Sequence, residues 1–127
     1  MTKPYHRLIA WQRSYEFLLG VYKASATFPK HEIFAITSQL RRAATSSVLN
    51  IVEGQARGST KEYVQFLTTS RASLAECGCI LECTRDLGYL DIETCAKLEA
   101  IRDEAHRLVN GMIVGLKQRI ALKNQKR

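Results

Sequence analysis

The side chains best suited to chemistry in this chain are three histidines and four cysteines, and their spacing points away from a reactive site. His6, His31 and His106 are scattered, with no metal-ligand spacing among them. Cys77, Cys79 and Cys83 fall within one expected helix, where bridges between them are geometrically poor. Cys79 and Cys83 share a helical face and Cys95 could approach it, but a closed zinc site needs a fourth ligand that the sequence does not supply. These cysteines are read instead as small, buried helix-packing residues. No HExxH, P-loop or glycine-rich phosphate cradle occurs. Ser46 and Ser47 have no base at nucleophile spacing. Glu53 and Glu62 neighbour Arg57 and Lys61, which favours ion pairing over acid–base work. The expectation is no metal, no cofactor and no catalysis.

The basic residues carry a different signal. Residues 1–71 hold ten Lys/Arg and four Asp/Glu, a net +6; residues 72–116 hold four and eight, a net −4; residues 117–127 hold five and none, a net +5. Such segregation suits a polyanion or an oppositely charged neighbouring subunit. Arg7, Arg13, Lys23, Arg41, Arg57, Lys61 and Arg71, with Lys117, Arg119, Lys123, Lys126 and Arg127 of a basic tail over 117–127, are the candidate nucleic-acid contacts. Phosphate binding needs many charges displayed together, because each neutralised phosphate releases counterions. Aromatics are not interleaved with the tail, so sequence-specific readout is not expected.

A second pattern lies between residues 37 and 62. Gln39, Arg42, Ser46, Asn50, Glu53 and Arg57 recur at steps of three and four. On a helix they fall within a stripe ~80° wide. A merely solvated face would favour Lys and Glu over mid-helix Ser and Asn. The stripe therefore reads as a polar seam. Glu62, Gln65, Thr69, Ser73 and Glu76 make a matching stripe on the following helix, with Glu62 and Glu76 as the expected partners of Arg42 and Arg57.

The elements that must position these residues are four helices, at about 7–27, 34–57, 60–87 and 92–122, in a single domain covering 1–127. In the first, Leu8, Trp11, Tyr15, Leu18 and Tyr22 form the apolar line, widened by Ile9, Phe17, Leu19 and Val21, and Pro29 ends it. Ser59-Thr60-Lys61-Glu62 is a capping box that starts the third. Tyr63, Phe66, Ser70, Leu74, Cys77, Leu81, Thr84 and Gly88 then follow a bundle seam. Gly88 suits the left-handed cap that closes this helix and Asp91 the N-cap of the next. Cys95, Leu98, Ile101, Ala105, Leu108, Met112 and Leu116 form the core line of the fourth helix, and Gly111 and Gly115 suggest close packing. Fraying is expected after Leu122. Short connections make neighbours antiparallel, giving an all-α, up-down-up-down four-helix bundle. No apolar run reaches the ~18 residues that span a bilayer, and the N-terminus lacks a signal-peptide pattern. A cytoplasmic protein with no membrane partner is expected.

The stretch SQLRRAATSSVLNIVEGQARGSTKEYVQFLTTSRASL resembles the signature of the bacterial four helix bundle protein family. That family includes proteins encoded in intervening sequences of large-subunit rRNA genes and is related to the accessory variability proteins of diversity-generating retroelements. Trp11, Gln12, Tyr22, Phe28 and Pro29 upstream, and Leu87, Gly88, Tyr89 and Leu90 downstream, extend the likeness over most of the chain. Val48 stands where the family usually has Pro, so a straighter second helix is expected. The resemblance implies a homo-oligomer, a pentameric barrel around a central opening. It also implies a nonspecific RNA- or DNA-binding accessory protein that assists a reverse transcriptase. The alternative is a protein-interaction scaffold with no nucleic-acid role.

Overall fold

Pro4, Pro29, Gly58 and Gly88 punctuate the chain, and the long stretches between them are helical. The computed structural model describes residues 2–126. A 3₁₀ turn at Pro4–Arg7 precedes α1 (Ile9–Ser25); a second, at Lys30–Glu32, precedes α2 (Ile36–Ala56); α3 (Thr60–Asp86) and α4 (Ile92–Gln125) follow. Each helix packs on its two neighbours in cyclic order, α1 with α2, α2 with α3, α3 with α4 and α4 with α1, which makes a four-helix bundle.

The helix ends show why the boundaries sit where they do. Helix 1 starts two residues later than the 7–27 reading, because Leu8 adopts an extended backbone after the Pro4–Arg7 turn. It also ends early, at Ser25, where the Phe28 amide donates to the Ser25 carbonyl and the Phe28 side chain turns into the core. Helix 2 begins at Ile36 and not Phe34, since Ala35 leaves helical geometry (φ −124°, ψ −109°). Val48 is buried within an unbroken α2.

Ser59 Oγ accepts from the Glu62 amide at 3.3 Å, and this is the only half of the capping box formed among the described residues. At the far end of α3, Gly88 takes φ +79°. The Tyr89 amide then reaches the Thr84 carbonyl and the Gly88 amide the Arg85 carbonyl, a Schellman closure. Asp91 caps α4 by accepting from the Thr94 amide (2.7 Å) and hydroxyl (2.9 Å). Helix 4 does not fray at Leu122 but continues to Gln125.

The core revises all three of the expected lines. Helix 1 buries Ala10, Ser14, Phe17, Val21 and Ser25. Tyr15 and Tyr22, expected inside, are 41% and 47% exposed. Small residues on the buried line let neighbouring helices approach closely, and the bulky aromatics are left at the rim. Helix 3 buries Ser70, Leu74, Cys77, Leu81 and Thr84 as expected, but also Leu67, Ser73 and Ile80, while Tyr63 and Phe66 are half-buried and Gly88 is exposed. On α4, Cys95, Leu98 and Ala105 are joined by Val109 and Ile113, with Ile101, Leu108, Met112 and Leu116 half-buried. Close approach occurs at Gly54, where an added Cβ would lie 2.9 Å from Phe66 Cβ and 2.9 Å from Tyr63 Cδ1. Gly111 and Gly115, expected at such contacts, have no atom within 4 Å of that position within the chain.

Candidate nucleic-acid interface

One end of the bundle collects the starts of α1 and α3 and the ends of α2 and α4. Two helix N-termini and two C-termini oppose one another there, so the helix dipoles largely cancel and side chains set the potential. Helix α4, with 34 residues, outruns the 27 of α3 by seven, about 10 Å at 1.5 Å per residue. Its last turns flank the α2–α3 connection and form a notch of about 450 Å³ lined by Gly58, Ser59, Thr60, Lys61, Arg119, Ile120, Lys123 and Asn124. Arg119 also borders an adjoining apolar pit with Leu8, Tyr63, Met112, Gly115 and Leu116.

The structure divides the candidate basic residues into two groups. Arg7, Lys61, Lys117, Arg119, Lys123 and Lys126 lie at or near this end and form no ion pair among the described residues. Lys3, at the same end, is likewise unpaired, while Arg127 lies outside the described residues. The carboxylates here are Glu53, held by Arg57 at 2.7 Å, and Glu62.

The other candidates, Lys23 apart, are tied into the fold. Arg13 bridges α1 to α4 through Glu104 (3.1 Å) and also reaches Glu16 (3.5 Å). Arg41 donates to Ser25 Oγ (2.9 Å) and covers the Tyr22 ring. Arg57, besides pairing with Glu53, lies over Phe66. Arg71 donates to Asn110 Oδ1 at 2.7 Å. Lys23 borders a pocket toward the opposite end with Asp91, Thr94 and Lys97.

The polar seam joins α2 to α3 through different partners from those expected. Ser46 and Ser73 hydroxyls meet at 2.8 Å, Gln39 Nε2 donates to Glu76 Oε1 at 3.4 Å, and the Ser70 hydroxyl donates to the Ser47 carbonyl at 2.7 Å. Asn50 Nδ2 stays on its own helix, donating to the Ser46 carbonyl and hydroxyl. Neither the Arg42–Glu76 nor the Arg57–Glu62 pair is made. Arg42 turns back to Ser38 Oγ (3.2 Å) and Arg57 to Glu53, because an i,i+4 partner is reached without crossing between helices. Arg42 and Glu76 instead line a groove of about 500 Å³ with Phe34, Gln39, Ser46 and Ser73.

Three features escaped the sequence reading. Arg102, 14% exposed, lies against Gly78, donates to the Leu74 carbonyl and pairs with Glu99 at 3.1 Å. Its only sequence signal was Glu99 three residues earlier. His106 sits nearby; burial, then the Arg102 and Arg71 guanidiniums, holds its pKa below the usual histidine value. Tyr5, His6, Trp11 and Tyr15 cluster around the N-terminal turn. The 3₁₀ turn folds residues 5 and 6 back onto α1, so helical periodicity could not reveal that contact. Cys79 and Cys83, read as buried, are exposed; Cys77 and Cys95 are buried, and burial pushes the Cys77 thiol up to about 12. Among the described residues no three His, Cys, Asp or Glu side chains converge as a metal site, and no helix is long and apolar enough to cross a membrane.

The profile of the 23S rRNA-intervening sequence protein family matches residues 6–111. A solved structure from Bacteroides thetaiotaomicron, a protein of unknown function from the S23 ribosomal protein family, superposes with a TM-score of 0.77 at 20% identity. The match covers 83% of this chain and 95% of that one, a likeness of fold. No curated protein shows a significant match to the chain.

Proposed function

Since the chain belongs to the 23S rRNA-intervening sequence protein family, we propose that it is a noncatalytic, self-associating protein that holds RNA or DNA nonspecifically on the basic end of its bundle. The observation that carries this reading is the convergence of Lys61, Arg119 and Lys123 on one notch without a carboxylate partner, with Lys3, Arg7, Lys117 and Lys126 at the same end. Unpaired cations gathered on one surface are what counterion release requires. Cations already bound within the fold contribute less.

Self-association is supported by another face. Phe34 is 95% exposed, Ile33 50% and Leu49 58%, beside a groove in which Arg42 and Glu76 lack each other as partners. A ring of five copies, as the family likeness implies, would cover this face and multiply the basic ends by symmetry. Assistance to a reverse transcriptase, by keeping a template strand on those ends, extends the same reading. The exposed Phe34 face also favours a second reading, a protein-interaction scaffold whose partner is another protein.

Titration of labelled RNA and duplex DNA, with the mass followed by light scattering, tests the proposal. The expected result is binding of both at low salt by a particle of five 14.4 kDa chains. An intact oligomer that binds neither leaves the scaffold reading.

A further inference from the structure

The N-terminal aromatic cluster is more ordered than a chain-end anchor requires. Trp11 and Tyr15 rings lie parallel, with centroids 4.8 Å apart and planes 11° from coincidence. Tyr5 and His6 each pack against Trp11 at 5.1 Å. The turn that carries them is fixed by the Lys3 amide donating to His6 Nδ1 (2.9 Å) and by Gln12 Nε2 donating to the His6 carbonyl (2.8 Å). One face of Tyr15 is covered by Trp11, yet the residue remains 41% exposed. Lys3 and Arg7 flank the cluster, exposed and without an ion pair among the described residues. The adjacent carboxylate, Glu16, is engaged by Arg13, which also holds Glu104. Leu8, between the cluster and α1, borders the pit that Arg119 shares with the basic notch.

Stacked aromatics beside unpaired cations match the chemistry of an unpaired nucleotide strand, in which each base offers a π-face and each linkage a phosphate. In a duplex the base faces are already covered, so only the phosphates remain available. We propose that Tyr15, backed by Trp11, is a base-stacking platform for single-stranded RNA or DNA, with Lys3 and Arg7 holding the flanking phosphates. This rests on the nucleic-acid reading above and adds to it a preference for single strands. Because stacking accepts any base, the preference carries no sequence specificity.

Trp11 is the sole tryptophan, so its fluorescence reports on the platform directly. The full chain is titrated with a short mixed-sequence RNA and with a duplex of equal length, as wild type and as Tyr15→Ala, Tyr15→Phe and the double variant Lys61→Glu, Lys123→Glu. Expected are quenching of Trp11 by the single strand and about a tenfold loss of single-strand affinity in Tyr15→Ala, with duplex affinity unchanged. Tyr15→Phe keeps the ring and keeps the affinity, and the unchanged duplex affinity of Tyr15→Ala separates stacking from any loss of folding. Single-strand binding that is unaffected by Tyr15→Ala, or that leaves Trp11 unquenched, overturns the platform. If both ligands are then lost together in the Lys61, Lys123 variant, the basic end survives without it. If neither ligand binds the wild type, both readings fall.

Discussion

The sharpest consequence of the basic notch is a number. Lys61, Arg119 and Lys123 line it, and none forms an ion pair among the described residues. If each neutralises one phosphate, the notch alone contributes about −2.7 to the slope of log affinity against log salt for duplex DNA, three times about −0.9. Between about 50 and 200 mM salt that slope weakens binding roughly 40-fold. Replacing Lys61 and Lys123 with Gln, which remains a good helix former, leaves Arg119 and a notch contribution of about −0.9. Lys3, Arg7, Lys117 and Lys126 add to both absolute slopes, but the difference of about 1.8 does not depend on them. Arg13→Gln is the control, because its guanidinium is already committed to Glu104 and Glu16. Fluorescence anisotropy over a salt series at fixed pH measures all three proteins. A double variant whose slope falls by less than one unit, or an Arg13→Gln protein that flattens equally, would refute the assignment of the notch.

Further outcomes follow from the packing. Gly54→Val should destabilise the fold by about 1–3 kcal/mol in urea denaturation, since its side chain meets Tyr63 and Phe66 where α2 crosses α3. Arg102→Leu should cost about 2–3 kcal/mol, below the full cost of breaking a buried pair because Glu99 remains 29% exposed; a change under half of that would mean Glu99 and the Leu74 carbonyl are solvated without it. The Asp91 carboxyl is held below its usual range, first by the Thr94 amide and then by the Thr94 hydroxyl. Its contribution is present above the unfolded carboxyl value of about 4 and is lost as pH falls through the lower folded value. Asp91→Asn still caps the helix but should flatten that acid limb of stability against pH. At mildly alkaline pH a thiol reagent should modify Cys79 and Cys83 quickly and reach Cys77 and Cys95 only on unfolding; rapid labelling of Cys77 would contradict its burial.

The capped helix ends were legible because cap chemistry is local. Ser59, Gly88 and Asp91 each satisfy backbone groups within a few residues, and each does so in the structure. Burial on α1 was less legible for a physical reason. The line Trp11, Tyr15, Leu18, Tyr22 and the line Ala10, Ser14, Phe17, Val21 obey the same period on one cylinder. Side-chain size favours the first line in a ranking by hydrophobicity. Close approach favours the second, and Gly20 beside it faces α4 closely, where an added Cβ would stand 2.8 Å from Leu98 Cδ2. Which line wins depends on the neighbouring helices.

Individual cations were illegible for a related reason. Arg13 and Glu104 are 91 residues apart, and Arg71 and Asn110 are 39 apart, so no spacing rule marks those arginines as spent. The location of the basic end, by contrast, follows from topology applied to charge. In an up-down-up-down bundle the chain returns to its starting end at the α2–α3 connection and again at the end of α4. Those returns bring together residues near 3–7, 57–61 and 117–126, where Lys3, Arg7, Lys61, Lys117, Arg119, Lys123 and Lys126 lie. The acidic stretch 72–116 instead runs through the α3–α4 connection, so Glu82, Asp86, Asp91 and Glu93 gather at the opposite end. Charge segregation along the chain thus becomes segregation along the bundle axis. A polyanion approaching the molecule meets an attractive pole and a nearly balanced one, where Lys23, Lys30, Arg85 and Lys97 stand among Glu32, Glu82, Asp86, Asp91 and Glu93, so its orientation is biased before any contact is made.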